Sequence, residues 1–241
     1  MRRVIVAGGE SELAQLLDLF PQGVEELDSG FAVYTDTLGE YRLRERFDVT
    51  SEEIAEGWED TWRAFHHGVV VGRFWVGPPW EDAPAGVEAI VINPGRAFGT
   101  GAHATTHLTL ELLQELKPGS LLDVGCGSGV LSVAAAKLGF DPVIGVDIDD
   151  AAIEATLANA TVNRANVTAF RADALAETLS PTEVAVANVS LDVVERLLPR
   201  LGAGRAVTSG YLERDTPQAE GWRHITRRER DGWAADLLER S

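Results

Sequence analysis

The sequence predicts an α/β protein built on a doubly wound, mostly parallel sheet, with a small α+β domain before it. From about Val87 onward, short apolar segments alternate with longer helical segments, which is the pattern of parallel β-α-β units. One of these units contains a turn with glycine at every second position. The first 50 residues instead show a short strand and helix pattern without any chemical motif.

The N-terminal segment is predicted to form a β-α-β-β unit. Val4–Ala7 is an apolar strand, and Ser11–Phe20 has its apolar residues at helical spacing. The helix is ended by Pro21-Gln22-Gly23, and short strands follow at Val24–Leu27 and Gly30–Thr35. We therefore expect residues 1–50 to form a small appended α+β domain.

Residues 51–80 are predicted to link the two domains through a helix and a strand. Acidic residues after Thr50 predict a helix start there, and Trp58 and Trp62 share one face of that helix, as packing residues do. A strand is expected over Phe74–Trp80, closed by two prolines. The adjacent pair His66-His67 has no third ligand at metal spacing, so no metal site is predicted.

Residues 81–241 are predicted to form the doubly wound domain. Its expected strands are Ala89–Asn93, Leu121–Val124, Val143–Val146, Val167–Ala169, Val184–Asn188 and Arg205–Ser209. Its expected helices are Thr105–Leu116, Val130–Leu138, Asp150–Val162 and Leu191–Leu201. In such sheets ligands bind at the carboxyl ends of the strands, so residues just after each strand are the candidates for a site.

Composition limits the possible partners. The 241 residues carry 38 acidic and 21 basic side chains, for a net charge of −17. This charge disfavours direct binding to DNA and favours a basic protein partner. No apolar run is long enough for a membrane span or a signal peptide, and Cys126 has no cysteine to pair with, so we expect no membrane association and a cytoplasmic location.

The run Asp123–Gly129 joins a predicted strand to a predicted helix through a glycine-rich turn, and the next strand ends on Asp147. Glycines at 125, 127 and 129 let the backbone approach a ligand, and an acid at this place bridges ribose hydroxyls. A dinucleotide fingerprint needs a small third residue where this chain has Val130, which argues against a NAD-dependent oxidoreductase. The turn instead resembles motif I of class I methyltransferases that use S-adenosylmethionine.

Two further residues follow predicted strands at the same edge. Asp173 can accept a hydrogen bond from an adenine amino group, and Asn188 offers a donor and an acceptor beside the reacting centre. Asn188 is followed by Val189-Ser190-Leu191 and not by the prolines and aromatic residue of base methyltransferases, so methylation of a flipped base is not supported.

A glycine-punctuated loop, Phe98–Thr106, leads into the helix that starts near Thr105. Together with Asp123–Gly129, Gly145–Asp149 and Ala187-Asn188, in this order, it resembles the ribosomal protein L11 methyltransferases, the PrmA group. The resemblance implies a Rossmann-like methyltransferase fold and a protein N-methyltransferase that transfers methyl groups from S-adenosylmethionine to amino groups of ribosomal protein L11. In that family the N-terminal domain selects the protein substrate, so the resemblance implies that residues 1–50 are a substrate-recognition domain.

The implied cofactor-binding residues are Thr106, Gly125, Gly127, Asp147, Asp173 and Asn188. Asn188 is also the candidate catalytic residue, because its side-chain oxygen can orient the attacking amine. His103 is expected to make a structural hydrogen bond more readily than to accept a proton. The alternatives are a methyltransferase for another protein or a small molecule, and a module that binds the cofactor without turnover.

Overall fold

The computed structural model describes residues 2–20, 24–27, 30–35, 37–53, 67–93 and 103–241. The chain forms two compact units, Met1–Phe65 and His66–Ser241. Within the described residues, no helix combines the length and the apolar character needed to cross a bilayer.

The first unit contains a four-stranded antiparallel sheet with helices between its strands. Its elements are β1 (Arg2–Ala7), α1 (Glu10–Leu19), β2 (Glu25–Leu27), β3 (Gly30–Thr35), α2 (Thr37–Arg44) and β4 (Val49–Glu53). The strand order is β2-β3-β1-β4. Val4 and Val6 alternate on the buried face of β1 and belong to one apolar core with Leu16 of α1 and Phe31 of β3.

The helix predicted to start at Thr50 is wrong over its first turn, because Val49–Glu53 is a strand. This strand, β4, pairs antiparallel with β1, in a register that sets Arg3 opposite Glu52. The strand's backbone groups bond to β1, a partner distant in sequence, and this pairing overrides the local helix-start signal. The predicted helix face with Trp58 and Trp62 lies outside the described residues.

The second unit begins with a small mixed sheet of three strands. These are β5 (Val69–Val71), β6 (Phe74–Gly77) and β7 (Glu88–Val91), in the order β5-β6-β7. β6 pairs antiparallel with β5 and parallel with β7. The strand predicted over Phe74–Trp80 therefore ends at Gly77, before the first of the two prolines, which lack the N–H that a ladder needs.

The main sheet of the second unit has seven strands, all in the fully described stretch 103–241. They are β8 (Leu121–Val124), β9 (Val143–Asp147), β10 (Thr168–Arg171), β11 (Val184–Asn188), β12 (Arg205–Leu212), β13 (Trp222–Arg230) and β14 (Trp233–Arg240). Their order is β10-β9-β8-β11-β12-β14-β13. The first five in this order are parallel, and the β13–β14 hairpin is antiparallel. The predicted α/β fold with a mostly parallel sheet is confirmed.

This unit also contains the helices α3 (Ala104–Leu113), α4 (Val130–Leu138), α5 (Asp150–Val162) and α6 (Leu191–Leu197). From β8 the chain winds outward to β9 and β10, and then returns to β11 on the other side of β8. The direction of winding therefore changes between β8 and β11. A crevice opens outside the carboxyl ends of the strands at such a point, and ligands bind there in open α/β sheets.

Candidate functional site

The glycine turn after β8 has a backbone that other residues rarely adopt. Gly125, Gly127 and Gly129 have φ angles of +73°, +53° and +79°. A Cβ placed on Gly125 would lie 2.7 Å from Cγ1 of Val189, the residue after β11. Glycine at 125 is thus required both by its φ angle and by the close approach of Val189, at the end of the neighbouring strand β11.

Asp147, the last residue of β9, is fixed against this turn. Its Oδ2 accepts a hydrogen bond from the N–H of Gly127 at 3.1 Å, and its Oδ1 accepts one from the N–H of Asp149 at 3.1 Å. The side chain is half-buried. Because a carboxylate has about four acceptor positions, both oxygens retain capacity for hydroxyl groups of a ligand.

An open pocket of about 450 Å³ is lined by Ile148, Arg171, Asp173 and Glu177, which follow or end β9 and β10. The side chain of Ile148 is 66% exposed and offers an apolar surface. Asp173 is held by the N–H of Leu175, which donates to its Oδ1 at 2.8 Å. The pocket thus combines an apolar surface with two acidic side chains and one basic side chain, and its Ile148 directly follows Asp147 in the chain.

The start of α3 brings two threonines to the same edge. His103 is the residue before the helix, and its Nδ1 accepts a hydrogen bond from the N–H of Thr105 at 3.3 Å. The Thr105 hydroxyl lies 2.8 Å from the same nitrogen. Thr106 is only 1% exposed, and its hydroxyl oxygen has no hydrogen-bond partner among the described residues. A buried hydroxyl without a partner is costly, so it points to a ligand that supplies one.

Asn188, at the end of β11, is oriented by these threonines. Its Nδ2 donates to the hydroxyl oxygen of Thr105 at 3.2 Å. The Thr105 hydroxyl in turn donates to Nδ1 of His103, since that nitrogen already acts as an acceptor. Burial, followed by the nearby His107, lowers the pKa of His103 and keeps its ring neutral. This chain of donors leaves Oδ1 of Asn188 as the atom that can accept from a ligand.

Asp123, which lies in β8 two residues before Gly125, was not among the predicted site residues. It is fully buried, and its Oδ2 accepts from the Ser132 hydroxyl at 2.6 Å. Its Oδ1 has no partner among the described residues. Burial raises the pKa of this carboxyl to about 7, and the charge of Asp147 adds to the shift. The signal in the sequence was its place in the motif, two residues before Gly125, whereas its burial has no local signal.

Cys126 lies inside the turn and is buried. Burial raises the pKa of its thiol to about 12, so it stays protonated and is no nucleophile. Elsewhere, Nδ1 of His67 lies 2.7 Å from Oε1 of Glu81. Across the described ranges, no three His, Cys, Asp or Glu side chains are grouped so that they could hold a metal ion.

The structure places the six predicted cofactor residues near strand ends or at the start of α3. It joins Gly127 to Asp147 directly, and Asn188 to the threonine that precedes Thr106. Asp173 lies in the pocket with Ile148, the residue after Asp147. Residues 98–102 of the predicted loop lie outside the described residues, so only its last part, His103–Thr106, is placed.

A match to the sequence model of a protein family identifies the family of this chain. The sequence model of the family described as "Ribosomal protein L11 methyltransferase (PrmA)" matches residues 19–240. The chain belongs to this family. The family resemblance seen in the motifs is therefore confirmed.

Named relatives agree with this assignment. A "Ribosomal protein L11 methyltransferase" of Caldanaerobacter subterraneus subsp. tengcongensis is 41% identical over 155 residues, which are 62% of this chain and 50% of the relative. One of Burkholderia vietnamiensis is 38% identical over 201 residues, 78% of this chain and 66% of the relative. The chain thus spans about half the length of the first curated relatives that it matches.

Solved structures show the same fold. The crystal structure of a ribosomal protein L11 methylase from Lactobacillus delbrueckii subsp. bulgaricus has a TM-score of 0.64 and 28% identity, and covers 72% of this chain and 98% of that one. A Pyrococcus abyssi tRNA (uracil-54, C5)-methyltransferase, solved with S-adenosyl-L-homocysteine, has a TM-score of 0.51 and 19% identity, with 61% of this chain and 41% of that one covered. At that identity the second likeness concerns the fold alone.

Proposed function

We propose that this chain is an S-adenosylmethionine-dependent protein N-methyltransferase that methylates amino groups of ribosomal protein L11, on lysine side chains or at the N-terminus. The observation that carries the proposal is the edge of the sheet where the glycine turn, Asp147 and Asn188 converge, in a chain of the L11 methyltransferase family. The relatives are named for this substrate. The net charge of −17 suits a basic protein partner, and the same proposal places the enzyme in the cytoplasm.

The residues at this edge fit S-adenosylmethionine. Asp147 would accept from the ribose hydroxyls with the lone pairs that the backbone leaves unused. Asp173 would accept from the adenine amino group, beside the apolar surface of Ile148. The unpartnered hydroxyl of Thr106 would bond to a polar group of the cofactor, and Gly125 and Gly127 would let the backbone come close.

When bound, S-adenosylmethionine supplies a methyl group on a positively charged sulfur, where an amine can attack it. In our proposal Asn188 orients that amine. Its Nδ2 is engaged by Thr105, so Oδ1 accepts one N–H of the amine and directs the nitrogen lone pair. Thr105 and His103 act through Asn188, because their hydrogen bonds hold its carboxamide in this orientation.

The amine must be neutral to attack, although a free lysine has a pKa of about 10.4. An acceptor at Asn188 suits either form of the amine, whereas an apolar neighbour such as the half-buried Val189 disfavours the charged form. Nδ1 of His103 is already occupied by Thr105. The side chains thus align the reactants, and the proposed reaction uses no dedicated base.

The proposal is tested by incubating the purified chain with isotopically labelled S-adenosylmethionine and separated ribosomal proteins. We expect label in L11, located by mass spectrometry on lysines or the N-terminus, and a strongly reduced turnover number for Asn188→Ala. Label in another protein or a small molecule would favour the alternative methyltransferase. Cofactor binding without label in any fraction would show a non-catalytic module.

A further inference from the structure

Helix α5, which follows Asp147, lies directly against the glycine turn. A Cβ placed on Gly129 would lie 2.8 Å from Cα of Thr156, so the backbones of turn and helix are in contact there. Thr156 is fully buried and Asn159, one turn later on α5, is 3% exposed. Both are polar side chains in the interior, where each needs a hydrogen-bond partner.

Their partners are consecutive carbonyl groups of the turn. The Thr156 hydroxyl donates to the carbonyl oxygen of Gly127 at 3.1 Å, and Nδ2 of Asn159 donates to that of Ser128 at 2.8 Å. The Thr156 hydroxyl also lies 3.3 Å from Sγ of Cys126. Because both donors are buried, water does not readily replace them.

The turn needs external support of this kind. Three of its residues are glycines with positive φ angles, and glycine loses more backbone freedom on ordering than any other residue. Asp147 holds the N–H of Gly127, while Thr156 holds its carbonyl. The peptide groups on the two sides of Gly127 are therefore both fixed, one by the last residue of β9 and the other by a residue of α5.

We propose that Thr156 and Asn159 are positioning residues that hold the glycine turn in the conformation that binds the cofactor. The inference rests on the proposed function, because S-adenosylmethionine is taken as the ligand of the turn. Without these donors the turn would have to be ordered when the ligand binds, and affinity falls by the cost of that ordering.

Asn163, the residue that directly follows α5, provides a matched control. Its Oδ1 accepts from the N–H of Val91 at 2.8 Å, and its Nδ2 donates to the carbonyl of Val91 at 2.6 Å. It thus binds β7 and the carbonyl of Asn159, and not the glycine turn. Asn159 also bonds to this segment, since its Oδ1 accepts from the N–H of Asn93 at 3.1 Å, and an aspartate at 159 keeps that acceptor.

The test measures the affinity of the full chain for S-adenosylhomocysteine by calorimetry in four variants. We expect Thr156→Val to weaken binding about tenfold, the effect of one buried hydrogen bond. Asn159→Asp should weaken it at least as much, because a carboxylate oxygen would then face the carbonyl of Ser128. Thr156→Ser and Asn163→Asp should stay within about twofold of wild type. The melting temperature without ligand is recorded for each variant. The KM for S-adenosylmethionine should rise in the first two variants, with kcat at saturation nearly unchanged.

A folded Thr156→Val variant that binds as tightly as wild type would overturn the inference alone, whatever the behaviour of Asn159→Asp. Equal weakening by Asn163→Asp would also overturn it, since the effect would then be general destabilisation of α5. A wild-type chain that does not bind S-adenosylhomocysteine would overturn the proposed function, and this inference with it.

Discussion

Asp147 takes part in the site as an acceptor whose position is set by two backbone N–H groups, from Gly127 and Asp149. Its neighbour Asp150 is also acidic, but its side chain is 75% exposed and faces Arg171 at 3.8 Å. Asp147 is thus held against the glycine turn and Asp150 is not. Substituting each residue in turn therefore separates their contributions to cofactor binding.

We expect Asp147→Ala to weaken binding of S-adenosylmethionine by roughly 2–3 kcal/mol, because a charged acceptor of hydrogen bonds is lost. Asp150→Ala is the control and should change the affinity little. Calorimetry measures both. An unchanged affinity in Asp147→Ala would contradict the assignment of this residue to the ribose.

Asp123 should make stability depend on pH. Its pKa in the folded chain is raised to about 7, so the folded state keeps this proton where the unfolded state has lost it. Its contribution is therefore fully present below the unfolded pKa, about 4, and is lost as the pH rises through about 7. Urea unfolding should show a fall of a few kcal/mol between pH 5 and pH 8 that is smaller in Asp123→Asn. Equal falls in both proteins would assign the pH dependence to other groups.

At the scale of elements, three central strands of the main sheet were predicted from mostly apolar sequences. β8, β9 and β11 are buried on both faces, and such runs predict parallel strands without knowledge of their partners. β4 and the β13–β14 hairpin were missed, because their sequences are rich in charged residues and because β4 and β14 pair with β1 and β12, which lie elsewhere in the chain.

The candidate site was likewise predictable from the sequence only in part. The spacing of the glycine turn and Asp147 follows from adjacent parallel strands, and the structure shows the contact between them. The bond between Asn188 and Thr105 joins residues 83 positions apart, and the burial of Asp123 depends on the whole sheet. Neither follows from local pattern, and the cofactor roles of the six residues stay predictions.

The glycine turn as an element can be tested by a branched side chain. Gly125→Val should abolish binding of S-adenosylmethionine while circular dichroism still shows a folded chain, because the added atoms would meet Val189 and occupy the approach to the turn. Gly86→Val is the control, since Gly86 has φ +89° but nothing within 4 Å of its added Cβ. If both variants bind the cofactor equally well, the turn does not form its site.

At the scale of the whole molecule, the chain has two compact units, and the described candidate residues all belong to the second, His66–Ser241. The first unit has its own apolar core, with Val4, Leu16 and Phe31 among its buried residues. A unit with a separate core and none of the candidate residues suits the predicted role of recognising the protein substrate.

Removal of Met1–Phe65 should leave the affinity for S-adenosylmethionine nearly intact and sharply reduce methylation of L11. The physical reason is that binding energy far from the reacting atoms positions the amine for transfer. Calorimetry and the labelling assay measure the two effects, and circular dichroism establishes that the shortened chain is folded. Full methylation of L11 by a folded shortened chain would show that the first unit has another role.

The strand order also sets when one neighbour of α3 becomes available during synthesis. β14 lies between β12 and β13, although it is the last of the three to leave the ribosome. Trp233, its first residue, makes an edge-to-face contact with His103 at 4.8 Å between ring centres. The nascent chain therefore carries the glycine turn for about a hundred residues of elongation before this side of α3 acquires its neighbour. The contact of Trp233 with His103, whose ring accepts from Thr105, therefore forms only after β14 has been synthesised.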